Sequence, residues 1–413
     1  MRWLVWVALV AGCTSATRGL GDDPLDQAAL ADVPELQHLG DAGATDVLDL
    51  FEKKLQFTSA PDPTALFQAT ADANDAVDIG TGAVALKLLS YNTGLLDRGY
   101  LGGHVAVPHI DPRRAALPDA LIAGDYDVLF LEEVWELSDV AALKQALEPA
   151  GYTLYAGSDK VHEQTGVVIA VRTSLIDGGL TVTEAGQYDA QRKLEHWPGP
   201  NLKRGWIHVA FDLAGTSRTV DLFCTHLTPF YDKWRTRNLQ ARQLGIEIDT
   251  VASDHVVFMG GDLNAGPYYA ADTWTDGDGK DHTGWWENAA MEPLLMYYGD
   301  LQDAHAALAP TLDKVRGDAA PLGGNLDVPY GDASYCESSP HDTFTSTDCN
   351  ALSFSEYAGT EFPARMDHLL YRGQGAVKVV DASLAFVDPM DFSDGTYEFS
   401  DHYGTSVDVE VAP

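Results

Sequence analysis

From residue 84 onward the chain breaks into short apolar runs rich in β-branched and aromatic residues, at 84–91, 128–131, 165–172, 206–213, 219–224, 256–259, 368–371, 377–387 and 405–411. Runs of this length bounded by Gly, Pro, Asp and Asn read as strands, and helical patterns come between them near 118–123, 137–148 and 233–251. Many strands with few helices predict an α+β fold. Two sheets packed face to face with helices outside bury that many strands without leaving a long exposed edge.

The ends of these runs carry chemistry. Several close on groups that bind cations or move protons, Ser90-Tyr91-Asn92, Glu132-Glu133, Cys224-Thr225-His226 and Gly260-Gly261-Asp262-Leu263-Asn264, and two more such groups, Arg365-Met366-Asp367-His368 and Ser400-Asp401-His402, lie near the C-terminus. A polar residue at one strand end is an ordinary loop residue, but six such ends in one chain predict a shared site. Hard oxygen donors (Asn92, Glu133, Asp262, Asn264, Asp401) suit Mg²⁺ or Mn²⁺, and His226 and His402 suit proton transfer near neutral pH. Gly260-Gly261 is read as a place where the backbone approaches a ligand closely, with an ordinary turn as the alternative.

The start of the chain reads differently. Arg2 precedes an apolar run, 3–11, that ends in Val10-Ala11-Gly12-Cys13, the pattern of a lipoprotein signal cleaved and acylated at Cys13. Residues 1–12 are thus expected to be removed, 13–83 to form an acidic tether with a short helix around Val47–Leu55, and 84–413 to form the catalytic domain. The chain is expected to be exported, lipid-anchored to a bacterial envelope or secreted. In that setting Cys336 and Cys349, in a polar turn-rich stretch, are expected to pair, and Cys224 to be a buried thiol. With 45% hydrophobic residues the chain can bury a core, which excludes disorder. A formal charge of −36 argues against a polyanionic partner such as nucleic acid.

Taken in order, Asn92, Glu133-Val134-Trp135, Thr225-His226-Leu227, Gly261-Asp262-Leu263-Asn264, Met366-Asp367-His368 and Ser400-Asp401-His402 resemble the motifs of the endonuclease/exonuclease/phosphatase superfamily over 84–413. The resemblance implies the deoxyribonuclease I-like fold, a four-layer α/β sandwich of two mostly antiparallel sheets with its site at one sheet edge. It implies that Glu133, helped by Asn92 and with Asp401 nearby, holds Mg²⁺, and that His402 is a general base oriented by Asp367. Asp262 and Asn264 would orient the nucleophile, and His226 would stabilise charge on the phosphoryl group.

Within the superfamily, Glu132-Glu133-Val134-Trp135 and the stretch 336–371 resemble the neutral sphingomyelinases. This implies a monomeric Mg²⁺-dependent phosphodiesterase at a membrane surface, releasing phosphocholine from sphingomyelin. A metal-dependent endonuclease, an inositol-phosphate phosphatase and a non-catalytic binding lipoprotein are the alternatives. Lys203-Arg204-Gly205 matches a Lys-Gly element of that branch with an extra Arg204, so either Lys203 or Arg204 would meet the phosphate. Asp276 to Asp281 with Glu287 is only partly like a calcium loop, and the pairs Tyr268-Tyr269, Trp285-Trp286 and Tyr297-Tyr298 read as core packing before lipid contact.

Overall fold

The computed structural model describes residues 63–96, 107–157, 165–188, 203–229, 234–266, 291, 293–308, 365–373 and 375–413, with 273–275, 281–283, 345, 350 and 352. Two six-stranded sheets form its centre. The first contains β1 (Val84–Asn92), β2 (Val128–Glu132), β3 (Tyr152–Tyr155), β4 (Val168–Arg172), β13 (Val377–Ala385) and β16 (Gly404–Val411), in the order β13-β16-β1-β2-β4-β3. The second contains β5 (Ile176–Gln187), β6 (Gly205–Leu213), β7 (Thr219–His226), β8 (Val256–Asp262), β11 (Gln302–Asp303) and β12 (Asp367–Arg372), in the order β11-β12-β8-β7-β6-β5. Two small hairpins, β9 (Thr273–Thr275) with β10 (Asp281–Thr283) and β14 (Met390–Phe392) with β15 (Gly395–Tyr397), complete the strands described.

Each large sheet is antiparallel except for one parallel pair: β1 with β2 in the first, β7 with β8 in the second. Parallel neighbours need a long crossover, and both crossovers contain a helix, α2 (Ile110–Ala123) and α4 (Trp234–Asp249). A third helix, α3 (Leu137–Leu147), follows β2. The period of two in the strands then sorts side chains into three apolar layers. Leu86, Leu88, Val128 and Phe130 meet Val220, Leu222, Val256 and Phe258 between the sheets. Leu89, Leu129 and Leu131 pack outward with Leu117, Leu121, Leu143 and Leu147 of α2 and α3, while Val257 and Met259 pack with Ala241, Leu244 and Ile248 of α4. Strands buried on both faces read as continuous apolar runs, which is why they stood out in the sequence. This is the four-layer sandwich expected.

Three local readings are corrected. Helix α1 (Pro63–Asp75) lies inside the stretch read as a tether, yet it docks on the domain: Phe67 is buried, and Asn74 donates from Nδ2 to Val379 O at 3.1 Å and accepts from Val379 N at 2.8 Å. The packed unit therefore begins before residue 84. The strand β5 was not expected, because Gly178 and Gly179 and its polar face hide the pattern of an edge strand. Gly260 and Gly261 serve close packing of protein on protein. A Cβ on Gly260 would come within 2.6 Å of the Phe130 ring on the facing sheet, and one on Gly261 within 2.3 Å of Thr225 O on the next strand.

Cys224 is free and buried. Cys13, Cys336, Cys349, the acidic stretch 276–280 with Glu287, Tyr268-Tyr269, Trp285-Trp286 and the Val47–Leu55 helix lie outside the described residues. Tyr298 packs on α4, where a Cβ on Gly245 would stand 2.4 Å from its own Cβ.

Candidate active site

The inner faces of the two sheets stay apolar up to Leu88, Phe130, Cys224 and Leu369 and then turn polar within one residue pair. Further along the same faces stand Ser90 and then Asn92 on β1, Glu132 on β2, His226 on β7, Asp262 beyond Gly260 on β8 and, two residues before Leu369, Asp367 on β12. Registers bring them together: Asn92 is level with Glu132, His226 with Asp262, and Asp262 with Asp367. His402 lies two residues before β16, which pairs with β1 up to Ser90 and Thr405. The carboxyl ends of both parallel pairs thus open on one cleft, the usual place for a site in such sheets.

Asp262 is the hub. Its Oδ2 accepts from Asn92 Nδ2 at 2.9 Å and lies 3.2 Å from His226 Nε2, and its Oδ1 accepts from Asn264 N at 2.8 Å. Burial alone would raise its pKa, but the attraction and hydrogen bond of His226, with help from His402 and Asn92, hold the carboxyl well below the usual range. Asn264 adopts φ 48°, stabilised by that Asx turn and by its own Nδ2 donating to Leu227 O at 3.1 Å. Burial, reinforced by the positive charge of Arg204, lowers His226 to about 4. His226 is therefore neutral at pH 7, and with its proton on Nε2 toward Asp262 the buried Nδ1 keeps a lone pair without a partner.

Beside this network His402 Nδ1 lies 2.8 Å from Asp367 Oδ2. Burial opposes protonation of His402, but Asp367 outweighs it and raises the imidazole well above its ordinary pKa. Asp367 is itself raised, by burial first, against the pull of His402. The dyad is held by a residue with no signature in the sequence: Thr345 accepts at Oγ1 from Met366 N and Asp367 N at 2.8 and 3.0 Å, and its carbonyl accepts from Tyr403 N at 2.7 Å. Asn350 Nδ2 adds a bond to Ser400 O at 2.8 Å.

Glu133 leaves β2 with φ 61°, a left-handed turn that directs it away from the inner face taken by Glu132. Glu132 stays inside, fully buried, with Oε1 3.4 Å from Ser90 Oγ and 3.6 Å from Cys224 Sγ; burial and the charges of Asp367 and Asp262 push its pKa well up. Glu133 is raised to about 7 by burial and by the charge of Asp401, against Arg204 and His402. Arg204 is buried, its guanidinium 5.4 Å from the Trp135 ring centroid, and it acts electrostatically on both Glu133 and His226. Lys203 is half-buried. Of the two basic residues, Arg204 is the one the fold brings to the cleft.

A divalent cation fits this donor set. Glu133 and Asp401 repel each other, which a cation between carboxylates relieves, and Asn92 Oδ1, which accepts from Gly94 N at 3.0 Å, keeps a second lone pair. Among the described residues Asp262, Asp367 and His402 also bring ligand atoms within 4.8 Å of one another. Most of those atoms are already committed to hydrogen bonds, although Asp367 Oδ1 is buried without a partner.

Comparison with known proteins gives the same architecture. The family model described as "Endonuclease/Exonuclease/phosphatase family" matches residues 89–402. No curated protein matches the chain. Among solved structures, D. rerio TDP2 complexed with single-strand DNA product is 18% identical with TM-score 0.50, covering 79% of this chain and 98% of that one. Sphingomyelinase C from Streptomyces griseocarneus is 19% identical with TM-score 0.48, covering 80% and 100%. The human Nocturnin catalytic domain is 14% identical with TM-score 0.47, covering 82% and 98%.

Proposed function

The chain belongs to the endonuclease/exonuclease/phosphatase family, a family of phosphoric ester hydrolases, and from that premise we propose that it is a Mg²⁺-dependent phosphodiesterase that hydrolyses sphingomyelin to ceramide and phosphocholine. The observation that carries the hydrolytic part is the His402–Asp367 dyad set directly beside the Asn92–Asp262–His226 network. Asp367 holds the imidazole by Nδ1, so that Nε2 takes the proton from an attacking water once His402 is neutral. Asp262, fixed by three donors, and Asn264 orient that water. His226 gains its second proton only when the negative phosphoryl group arrives, and then donates to it from Nδ1. Arg204 places a standing positive charge beside the same group. Glu133, with Asn92 and Asp401, would hold Mg²⁺, which supplies Lewis-acid stabilisation of charge on the phosphoryl oxygens.

The choice of lipid rests on sequence features. Glu132-Glu133-Val134-Trp135 and the stretch around Arg365 to Tyr371 support it, and acylation at Cys13 would keep the enzyme at a membrane and raise the local concentration of bilayer substrate. Nucleic acid stays among the candidate substrates: a charge of −36 does not exclude it once Mg²⁺ bridges phosphates. The test compares sphingomyelin micelles, plasmid DNA and inositol phosphates at matched enzyme, with Mg²⁺ or chelator. Mg²⁺-dependent phosphocholine release is expected to exceed cleavage of the others. Rapid plasmid nicking with intact sphingomyelin would overturn the lipid assignment.

A further inference from the structure

Arg113 is one of the largest fully buried side chains in the molecule, yet it sits in the first turn of α2, where the helix dipole disfavours a cation. Its five N–H groups go to five main-chain carbonyls. Nε donates to Pro108 O at 3.0 Å; Nη1 donates to Thr93 O at 3.1 Å and to Phe399 O at 2.8 Å; Nη2 donates to Gly94 O at 2.8 Å and to Val107 O at 3.5 Å. A buried guanidinium costs several kcal/mol in lost hydration, so a site that spends all five donors on backbone is built to fix backbone.

Two of the carbonyls, Pro108 and Val107, lie just before its own helix, and the other three belong to two walls of the cleft. The ladder between β1 and β16 ends at Ser90 and Thr405, just where the segments carrying Asn92 and His402 begin. Thr93 and Gly94 follow Asn92 directly, and Phe399 leads into Ser400-Asp401-His402. The walls meet at Gly94, at φ +58°, where a Cβ would stand 2.8 Å from Ser400 Oγ, 2.9 Å from Asp401 Oδ1 and 3.3 Å from Arg113 Nη1. We infer that Arg113 is a positioning residue: it continues the crosslink where strand pairing stops and holds the Asn92 wall and the Asp401–His402 wall at one separation. The inference rests on the proposed use of this cleft for phosphodiester hydrolysis, though not on which ester is cleaved. Lysine is a poor substitute, because one ammonium point cannot span carbonyls on both walls.

The test uses the full chain and its R113A and R113K variants. Hydrolysis of bis(p-nitrophenyl) phosphate with Mg²⁺ gives kcat and KM, and amide hydrogen exchange of the metal-free proteins is followed over 91–96 and 398–403. A shift of a wall by an ångström is expected to lower kcat of R113A about 10²-fold with KM nearly unchanged, R113K lying between. Exchange is expected to rise about tenfold in both segments while β6 and β7 stay protected. Added guanidinium, at concentrations that leave the wild type folded, is expected to restore part of the R113A rate, and equal NaCl is not. Unchanged kcat and exchange in R113K, or a loss in R113A matched by uniform exchange across the domain and blind to guanidinium, would overturn the inference. Should R113A not fold, R113K decides. If wild type cleaves no phosphodiester at all, the proposed function falls while the exchange comparison still judges Arg113.

Discussion

Acid should unfold this protein partly through one histidine away from the cleft. His305 lies in the short helix α5 (Ala304–Leu308), 5% exposed, with Nε2 buried and unpartnered. Beside it Arg365 is paired with Asp303 at 2.7 and 3.2 Å. Burial, with the charge of Arg365 as the next cause, presses His305 from 6.5 down to about 3. The sign follows from linkage. Below pH 6.5 the unfolded chain takes a proton on this residue and the native state does not, so stability falls as pH falls, until the native group titrates near pH 3. Each unit is worth about 1.4 kcal/mol, so between pH 6.5 and 4.5 the loss from this group is about 2–3 kcal/mol. His305→Asn removes the titration. Urea unfolding followed by tryptophan fluorescence at both pH values gives the comparison, in which His226 and the carboxylates act on both proteins and cancel. At pH 6.5 the variant is expected to be less stable by about 1 kcal/mol, and at pH 4.5 it should overtake wild type. Parallel pH dependence within about 0.5 kcal/mol would refute the reasoning.

Other outcomes are expected. His402→Ala should lower turnover by about 10²–10⁴-fold and also lower the melting temperature, because buried Asp367 loses its partner, as read by steady-state kinetics and calorimetry. Asp303→Asn should cost about 3–5 kcal/mol in urea unfolding, because it leaves the fully buried Arg365 charge uncompensated. Gly260→Ala should cost about 1–3 kcal/mol in the same assay, because its methyl meets Phe130 across the sheets. Mass spectrometry of unreduced peptides is expected to show Cys336 joined to Cys349, and free thiols at both would end that proposal.

The cleft was legible because one physical rule makes it: an inner-face position must be apolar while it faces the other sheet and is free to be polar once the sheet ends. Asn92, His226, Asp262 and Asp367 each obey that rule, so residue type and position pointed the same way. Glu132 obeys it too but is buried among Ser90 and Cys224, and only the left-handed turn at Glu133 explains why its neighbour, not Glu132, reaches Asp401. Thr345 and Arg113 were invisible for another reason. They act on main-chain groups, and any backbone offers the same carbonyls and amides, so nothing in composition marks the partners. Helix α1 was hidden by its Ala- and Asp-rich sequence, since its docking depends on Asn74 meeting the backbone of Val379, far away in the chain.

The strand that ends at Val411 does not lie at a margin. It is inserted between β1 and β13, pairing Val84 with Val411, and the loop before it delivers His402. A chain still being synthesised therefore has β1 waiting for a neighbour that the ribosome has not yet released, and contacts between such distant segments form late. Until β16 emerges and slots in, Asn92 and Glu133 face a half-built groove without the anchored loop that carries His402. The first sheet is thus completed at its middle and not at its edge: a product cut short before Gly404 would leave β1 and β13 with no strand between them.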